Sequence, residues 1–400
     1  VRVLVVGSGG REHALAWKLA QSPELDELHA APGNPGIAAL GSCHPVRADD
    51  AEGLIELSTA LEIDLVVIGP EAPLVAGVGD ELRHVGVSVF GPSAAAARIE
   101  GSKSFAKEVM GSAGVPTAVD LPVATPPCVI KVDGLAAGKG VFVCRTDEEV
   151  DRALLDAAEI GGPLVFEELL EGEELSLFAL TDGTSVLPIG AGRDYKRVGD
   201  GDSGPNTGGM GAYSPVEESP PLDALVQAVH LPVVAELARL GTPFTGLLYA
   251  GLMLTSRGPK VLEFNCRFGD PETQCILPCL DTDLLPLLAG VAAGSLDGRA
   301  PAEFSGAAAT VVIAGDRYPE SGDSGSPIDG VQDAQDTGAL VFHAGTARRE
   351  GALVTNGGRI LAVTGRGRSL GAARDQAYAG VERISFPGAR YRRDIAATAL

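Results

Sequence analysis

The chain has 400 residues, 45% of them hydrophobic, and sets 31 lysines and arginines against 53 aspartates and glutamates, a formal net charge of −22. A single hydrophobic core rarely grows beyond roughly 250–300 residues, so this length predicts two to four packed subdomains. The acidity excludes nucleic acid as a bulk partner, which needs a positive field, but not a small anion held by a few local cations.

Val1–Val6 is a short apolar run that stops at Gly7, without the features of a secretory leader, and no run of about 18 apolar residues could span a bilayer. Neither a membrane nor a nucleic acid is therefore an expected partner. Cys43, Cys128, Cys144, Cys266, Cys275 and Cys279 form no CxxC pair and read as reduced, buried thiols, which fits a cytoplasmic location.

Over residues 1–100, short β-rich runs alternate with helical stretches. Val1–Val6, Leu65–Ile68 and Val87–Phe90 read as buried strands, and Glu12–Gln21 as a helix. That rhythm predicts an α/β fold with a parallel sheet covered on both faces, its ligands gathered at the carboxyl ends of the strands. A helix follows over Ser102–Met110, closed by Gly111 and Gly114. Strands are expected at Cys128–Val132, Gly140–Cys144 and Leu164–Glu167, with a helix over Asp147–Ala158. Residues 190–215 are polar, glycine-rich and without periodicity, and so read as a long functional loop. Beyond them come strands at Gly246–Leu254 and Lys260–Phe264, a helix near Pro271–Leu280, strands at Ala309–Ile313, Leu340–His343 and Ile360–Thr364, and a helix near Ser369–Ile384.

Four loops carry candidate chemistry. Gly7-Ser8-Gly9-Gly10-Arg11-Glu12 lies where a dinucleotide fingerprint would, but Glu12 replaces its third glycine; the amides still suit a phosphate. Lys131 to Gly140 (KVDGLAAGKG) lies between two strands and lacks Walker A spacing, so it reads as a glycine hairpin that folds over a triphosphate, with Lys131 at its root and Lys139 at its tip. The chain contains only seven lysines, yet four of them fall in these loops or at Gly-Ser-Lys103, where compact ammonium groups meet phosphate oxygens. Glu263 and Asn265 point to one side of a strand and offer hard oxygen ligands for Mg²⁺ or Mn²⁺. In the fourth loop, Arg193-Asp194-Tyr195-Lys196-Arg197 precede Asn206-Thr207-Gly208-Gly209, and cations followed by a glycine nest suit an anion.

A glycine-rich lid, a separate lysine and an acidic-x-Asn pair together resemble the ATP-grasp superfamily. GGREHAL (9–15), APGNPG (31–36), GPEAPLV (69–75), GSKSFAK (101–107), VIKVDGLAAGKGV (129–141), KRVGDGDSGPNTGGMGAYSP (196–215) and EFNCRFGDPETQ (263–274) narrow the resemblance. With FHAGTA (342–347), TNGGRIL (355–361) and RRDI (392–395), they look like the phosphoribosylamine–glycine ligase, or glycinamide ribonucleotide synthetase, family.

The resemblance implies an ATP-grasp fold with four parts. These are a Rossmann-like N-terminal pre-ATP-grasp domain over 1–100, a central domain from 101–117 and 190–302, a lid over 118–189, and a C-terminal domain over 303–400. It implies joining glycine to 5-phosphoribosylamine with ATP as co-substrate and Mg²⁺ or Mn²⁺ as metal, through a glycyl phosphate, in a monomer. The alternative is a related ligase coupling a different amine and carboxylate.

In this reading Lys103, Lys131, Gly138, Lys139 and Gly140 serve the phosphates, Glu167, Glu168 and Leu170 run along the adenine, and Glu174 reaches the ribose. Glu263 and Asn265 hold the metal. Arg267 meets the acyl phosphate, with Asp194 and Lys196 beside the reaction centre. Gly9, Gly10, Arg11, Glu12, Asn34 and Glu71 cradle the phosphoribosyl group; Asp270 receives the glycine ammonium, and Glu272, Asn206, Gly208 and Gly209 complete the substrate contacts.

Two departures from the family pattern stand out. Only a short, proline-containing segment, 117–128, stands where a lid helix is usual, and Arg193 replaces the usual glutamine. Arg193 either points into the site, where its charge would favour an acidic group on substrate or intermediate, or, as is commoner for a loop arginine, faces solvent or pairs with a nearby carboxylate such as Asp200 or Asp202.

Overall fold

A computed structural model describes residues 1–135, 140–217, 219–296 and 298–397. The first hundred residues form β1 (Arg2–Gly7), α1 (Gly10–Leu19), β2 (Glu27–Pro32), β3 (Ser42–Cys43), α2 (Ala51–Ala60), β4 (Leu65–Ile68), α3 (Glu71–Ala76), α4 (Val78–His84), β5 (Val89–Phe90) and α5 (Ala94–Gly101). The five strands make a parallel sheet in the order β3-β2-β1-β4-β5. Val3, Leu4, Val5 and Val6 are all fully buried, as expected of a strand covered on both faces. Helix α1 starts at Gly10, two residues before the expected Glu12, because the Glu12 carboxylate reaches back to accept the Gly9 N–H at 2.6 Å.

A small subdomain follows α6 (Lys103–Ala113). It contains β6 (Cys128–Val132), β7 (Val141–Cys144), α7 (Asp147–Ile160) and β8 (Leu164–Glu168), its strands ordered β7-β6-β8 and antiparallel. Val150 and Ala153 of α7 bury against Cys128, Ile130 and Cys144. The short proline-containing segment before β6 runs along the edge of β8: Leu121 donates its N–H to Phe166 O (2.8 Å), and Glu168 donates to Val119 O (2.9 Å). It thereby closes an otherwise open sheet edge.

The large sheet is built from β9 (Glu173–Asp182), β10 (Val186–Asp194), β13 (Gly211–Ser214), β14 (Thr245–Thr255), β15 (Gly258–Asn265), β16 (Ala307–Ala314), β18 (Leu340–His343) and β21 (Arg359–Gly367). Its order is β15-β14-β9-β10-β13-β16-β21-β18. Two further strands, β11 (Arg197–Gly199) and β12 (Ser203–Asn206), form a hairpin between β10 and β13. Helices α8 (Leu222–Leu225), α9 (Leu231–Arg239), α10 (Thr273–Cys279), α11 (Leu284–Ala292), α12 (Val331–Asp336) and α13 (Leu370–Val381) complete the fold. A separate three-stranded sheet holds β17 (Asp323–Pro327), β19 (Thr346–Arg349) and β20 (Ala352–Gly357).

Three expectations are revised. Strand β9 pairs along its whole length with β14, so residues 173–189 join the large sheet and not the lid. The 190–215 segment is largely strand, because its pairing comes from β9, β13 and its own hairpin, which local alternation does not reveal. The C-terminal strands β16, β21 and β18 extend the central sheet, so the tail shares one continuous sheet with the central region.

Leu180 lies fully buried in β9, whereas Leu155 on α7 is 71% exposed. Leu180→Ala should therefore lower stability by about 2–5 kcal/mol, and Leu155→Ala by no more than about 0.5 kcal/mol, in chemical denaturation. Equal midpoints for the two variants would contradict the position of β9 inside the sheet.

Candidate functional site

A cavity of ≈ 310 Å³ opens where β15, α6, the lid and the N-terminal sheet meet. At one end lie Lys103, at the N-terminus of α6, and Lys131 on β6. Lys131 pairs with Glu167 at 2.7 Å and donates to Leu262 O at 2.8 Å. Glu167 is 3% exposed and also pairs with Lys107 (3.2 Å), which bridges to Asp120 (2.8 Å). Lys103 Nζ donates to Gly134 O at 2.9 Å, and burial lowers its pKa against the opposing pull of Glu263.

Glu263 and Asn265 both line this cavity from β15; Phe264 between them also touches it but is buried in the core. Neither side chain makes a hydrogen bond or ion pair to another described residue. A carboxylate and an amide oxygen with no hydrogen-bond partner among the described residues, in a cavity with two lysines, fit a hard divalent cation that also meets phosphate.

Deeper in the cavity, Lys196 pairs with Asp194 (2.7 Å) and Glu174 (2.6 Å). Burial alone would lower the Lys196 pKa, but these two carboxylates raise it well above its ordinary value. Glu272 accepts from Ser176 Oγ at 3.3 Å, and Ser176 in turn meets Tyr249 Oη at 2.9 Å. Burial, reinforced by the Asp194 charge, pushes the Glu272 carboxyl up to about 7.

The far end is a lattice of arginines and carboxylates. Arg267 reaches Glu71 (3.1 Å), Glu100 (3.0 Å) and Phe268 O (3.2 Å). Arg11 donates to Phe268 O (3.1 Å) and to Glu12 (2.5 Å). Arg359, from β21, holds Asp270 at 2.9 Å and donates to Gly208 O (2.7 Å) and Asp270 O (2.8 Å).

Most of the expected residues thus meet around one space. Lys103, Lys131, Glu167, Glu263, Asn265, Asp194, Lys196, Arg267, Asp270, Glu272, Arg11, Glu71 and Gly208 all line it. Others are placed differently. Glu168 pairs with Lys260 and accepts the Val119 N–H (3.1 Å), and Leu170 is buried just beyond β8. Glu174 is engaged by Lys196. The Asn34 amide donates to Ser8 O (2.9 Å) and His343 O (2.8 Å) and accepts from Gly36 and Ile37, which ties its loop to the C-terminal strands. Asn206 reaches the lid at Val141 O (3.4 Å).

Three glycines shape the turns. Gly9 and Gly10 open α1, and Gly209 has φ +110°, where an added Cβ would lie 2.4 Å from Pro271 Cδ. Gly140 accepts the Val132 N–H (2.8 Å) at the base of the lid hairpin. Gly138 and Lys139 lie outside the described residues.

Sequence reasoning assigned no role to Glu100, Lys107, Tyr249 or Arg359, yet all four line the cavity. Lys107 and Arg359 sit inside GSKSFAK and TNGGRIL, which are visible signals; Tyr249 lies in an apolar strand with no signal at all. Arg193 pairs with Glu173 (2.8 Å) and donates to Glu174 O (2.9 Å), so it forms a peripheral charge pair, with Glu173 as partner and not Asp200 or Asp202.

The phosphoribosylglycinamide synthetase N domain matches residues 1–100, its ATP-grasp (A) domain 101–273 and its C domain 308–398. The phosphoribosylamine–glycine ligase of Streptomyces coelicolor is 51% identical over 417 residues, covering 100% of this chain and 99% of the relative. That of Mesorhizobium japonicum is 49% identical, covering 99% and 97%. The crystal structure of phosphoribosylamine–glycine ligase from Thermotoga maritima superposes with a TM-score of 0.85 at 35% identity, covering 99% of this chain and 100% of that one. A biotin carboxylase domain from Hydrogenobacter thermophilus, solved with MgADP and bicarbonate, shares the fold at 18% identity and a TM-score of 0.72 over 98% and 91% of the two chains. With all three domains matched in order along nearly its whole length, the chain belongs to the phosphoribosylglycinamide synthetase family of ATP-grasp ligases.

Proposed function

We propose that this cavity joins glycine to 5-phosphoribosylamine, converting ATP to ADP and phosphate and yielding glycinamide ribonucleotide for purine biosynthesis. The observation that carries the reading is that Lys103, Lys131, the Glu263–Asn265 pair and Arg267 open onto one space. The reaction needs no protein nucleophile. The glycine carboxylate attacks the γ-phosphorus to give glycyl phosphate, and the sugar amine then attacks the carbonyl carbon and expels phosphate. Catalysis is therefore alignment together with charge neutralisation.

Lys103 and Lys131 stand at the nucleotide end, with Glu167 fixing Lys131. Glu263 and Asn265 would hold Mg²⁺ or Mn²⁺, which supplies positive charge to the phosphoryl oxygens. Arg267, already gripped by Glu71 and Glu100, presents a fixed guanidinium to the acyl phosphate. Asp270, the expected receiver of the glycine ammonium, is already held by Arg359 through its carboxylate and its carbonyl and accepts from Gln274 (2.7 Å). Glu272 is poised to take the proton that the attacking amine loses. Because the described residues of a single chain supply these groups, a monomer suffices.

ADP release should require glycine and phosphoribosylamine together; release equally fast without the amine would overturn the reading. Glu263→Gln should lower kcat by about 100-fold or more with an unchanged circular dichroism spectrum, since the phosphoryl charge loses its counter-ion. A third expectation concerns pH. A carboxyl raised to about 7 is neutral below that pH, so its burial favours folding in acid, and this contribution is lost as pH rises through 7. The proton-accepting form has the opposite dependence, so kcat should rise across about pH 6–8, and the residual rate of Glu272→Gln should be flat there. An acid limb that survives in Glu272→Gln would remove Glu272 from proton transfer.

A further inference from the structure

The RRDI segment near the C-terminus lies far in sequence from the residues that line the cavity, yet the Arg392 side chain is almost completely buried, at 1% exposure. Its guanidinium forks onto Asp394 (Nε 2.7 Å, Nη2 2.6 Å), while Nη1 donates to Asp202 (2.7 Å) and to the carbonyl of Arg197 (3.1 Å). It also stacks over the Tyr195 ring at 4.8 Å. Asp394 accepts the Gly201 N–H at 2.9 Å, and the Arg393 N–H reaches Asp200 at 2.7 Å. The C-terminal segment therefore grips the β11–β12 hairpin at its tip and along one strand.

The base of that hairpin faces the cavity. Lys196 precedes the gripped Arg197 by one residue, and its carbonyl accepts both the N–H and the Oγ1 of Thr207 at 2.8 Å each. Lys196, Thr207 and Gly208 all line the cavity, and Asn206 touches the lid strand β7. A planar fork that meets a carboxylate, a second carboxylate and a carbonyl at once fixes direction as well as distance, which a lysine cannot do.

We propose that Arg392 is a positioning residue for the ligase reaction: by clamping the β11–β12 hairpin it sets where Lys196, Thr207 and Gly208 stand at the end of the cavity away from Lys103 and Lys131. The inference rests on the ligase reading above. It makes the C-terminal segment part of the catalytic apparatus through the hairpin, and it assigns the effect to the transfer steps and not to nucleotide affinity.

The test uses the full chain with Asp202→Asn and, separately, Arg392→Lys. Asp202 is 71% exposed at φ +52°, a conformation that asparagine also tolerates, so the first variant removes the ion pair without disturbing the core. Trypsin cleavage at the Arg197–Val198 bond reads the clamp directly, because Arg392 holds that very carbonyl. Cleavage should quicken by about fivefold or more in both variants. In the same preparations kcat should fall by about 5–20-fold while the KM for ATP stays within about twofold.

Unchanged cleavage would overturn the proposal. So would faster cleavage with unchanged kcat, which would mark a purely structural clamp, or a KM for ATP that rises in step with the loss. A parent chain that releases no ADP would instead sink the ligase reading, while the cleavage assay would still report on the hairpin.

Discussion

Lys131, Glu167 and Glu100 have side chains no more than 8% exposed, and Arg267 is only 17% exposed; an ion held this far from water costs several kcal/mol, of order 3–5, when its partner is removed. The architecture of the cavity follows from meeting that demand with the least rearrangement. Two of these buried cations are set on one part of the chain and their carboxylates on another: Lys131 on β6 against Glu167 on β8, Arg267 after β15 against Glu100 at the end of α5 and Glu71 at the start of α3. The pairs do two things at once. They hold the elements together, and they fix charged heads at the cavity wall in geometries that flexible surface side chains would not keep.

Continuity of the large sheet makes this possible across long stretches of sequence. Because β16, β21 and β18 extend the strands of the central region, Arg359 is carried to Asp270, and His343 to the loop of Asn34. The N-terminal and C-terminal regions are thus locked together through backbone acceptors. A polar side chain such as Asn34, with both of its amide ends engaged, is a fastening of that joint. Precision at the cavity then depends on the whole chain, which is why residues from the first dozen positions and from the last sixty meet there.

What the sequence made legible follows the same division. Strands buried on both faces, such as Val3–Val6 and Ala307–Ala314, announce themselves as apolar runs, and the lysines of the glycine-rich loops are conspicuous because lysine is scarce. β9 escaped notice because Glu173, Glu174 and Ser176 break its opening, although its partners β14 and β10 bury the remainder. The hairpin within 190–215 has almost no apolar content; it is held by Arg392 and Asp394, almost two hundred residues away. Glu100 gave no sign either, since a carboxylate before Gly-Ser-Lys reads as the polar end of a helix until Arg267 is brought against it.

Asp270 and Glu272 show most clearly where reading by type stops. In the sequence they are two carboxylates on either side of a proline, equally suited to bind an ammonium or to move a proton. In the fold Arg359 and Gln274 occupy Asp270, which anchors β21 to the site. Glu272 turns into a pocket shared with Ser176 and Tyr249, where burial and the field of Asp194 outweigh the opposing pull of Lys196 and Arg267 and push its carboxyl up to about 7. A carboxyl whose burial outweighs the pull of nearby cations holds its proton toward neutral pH. The two groups are thereby given different surroundings within one short motif: Asp270 is tied to the C-terminal strands, while Glu272 is buried beside Ser176 with its carboxyl pushed up.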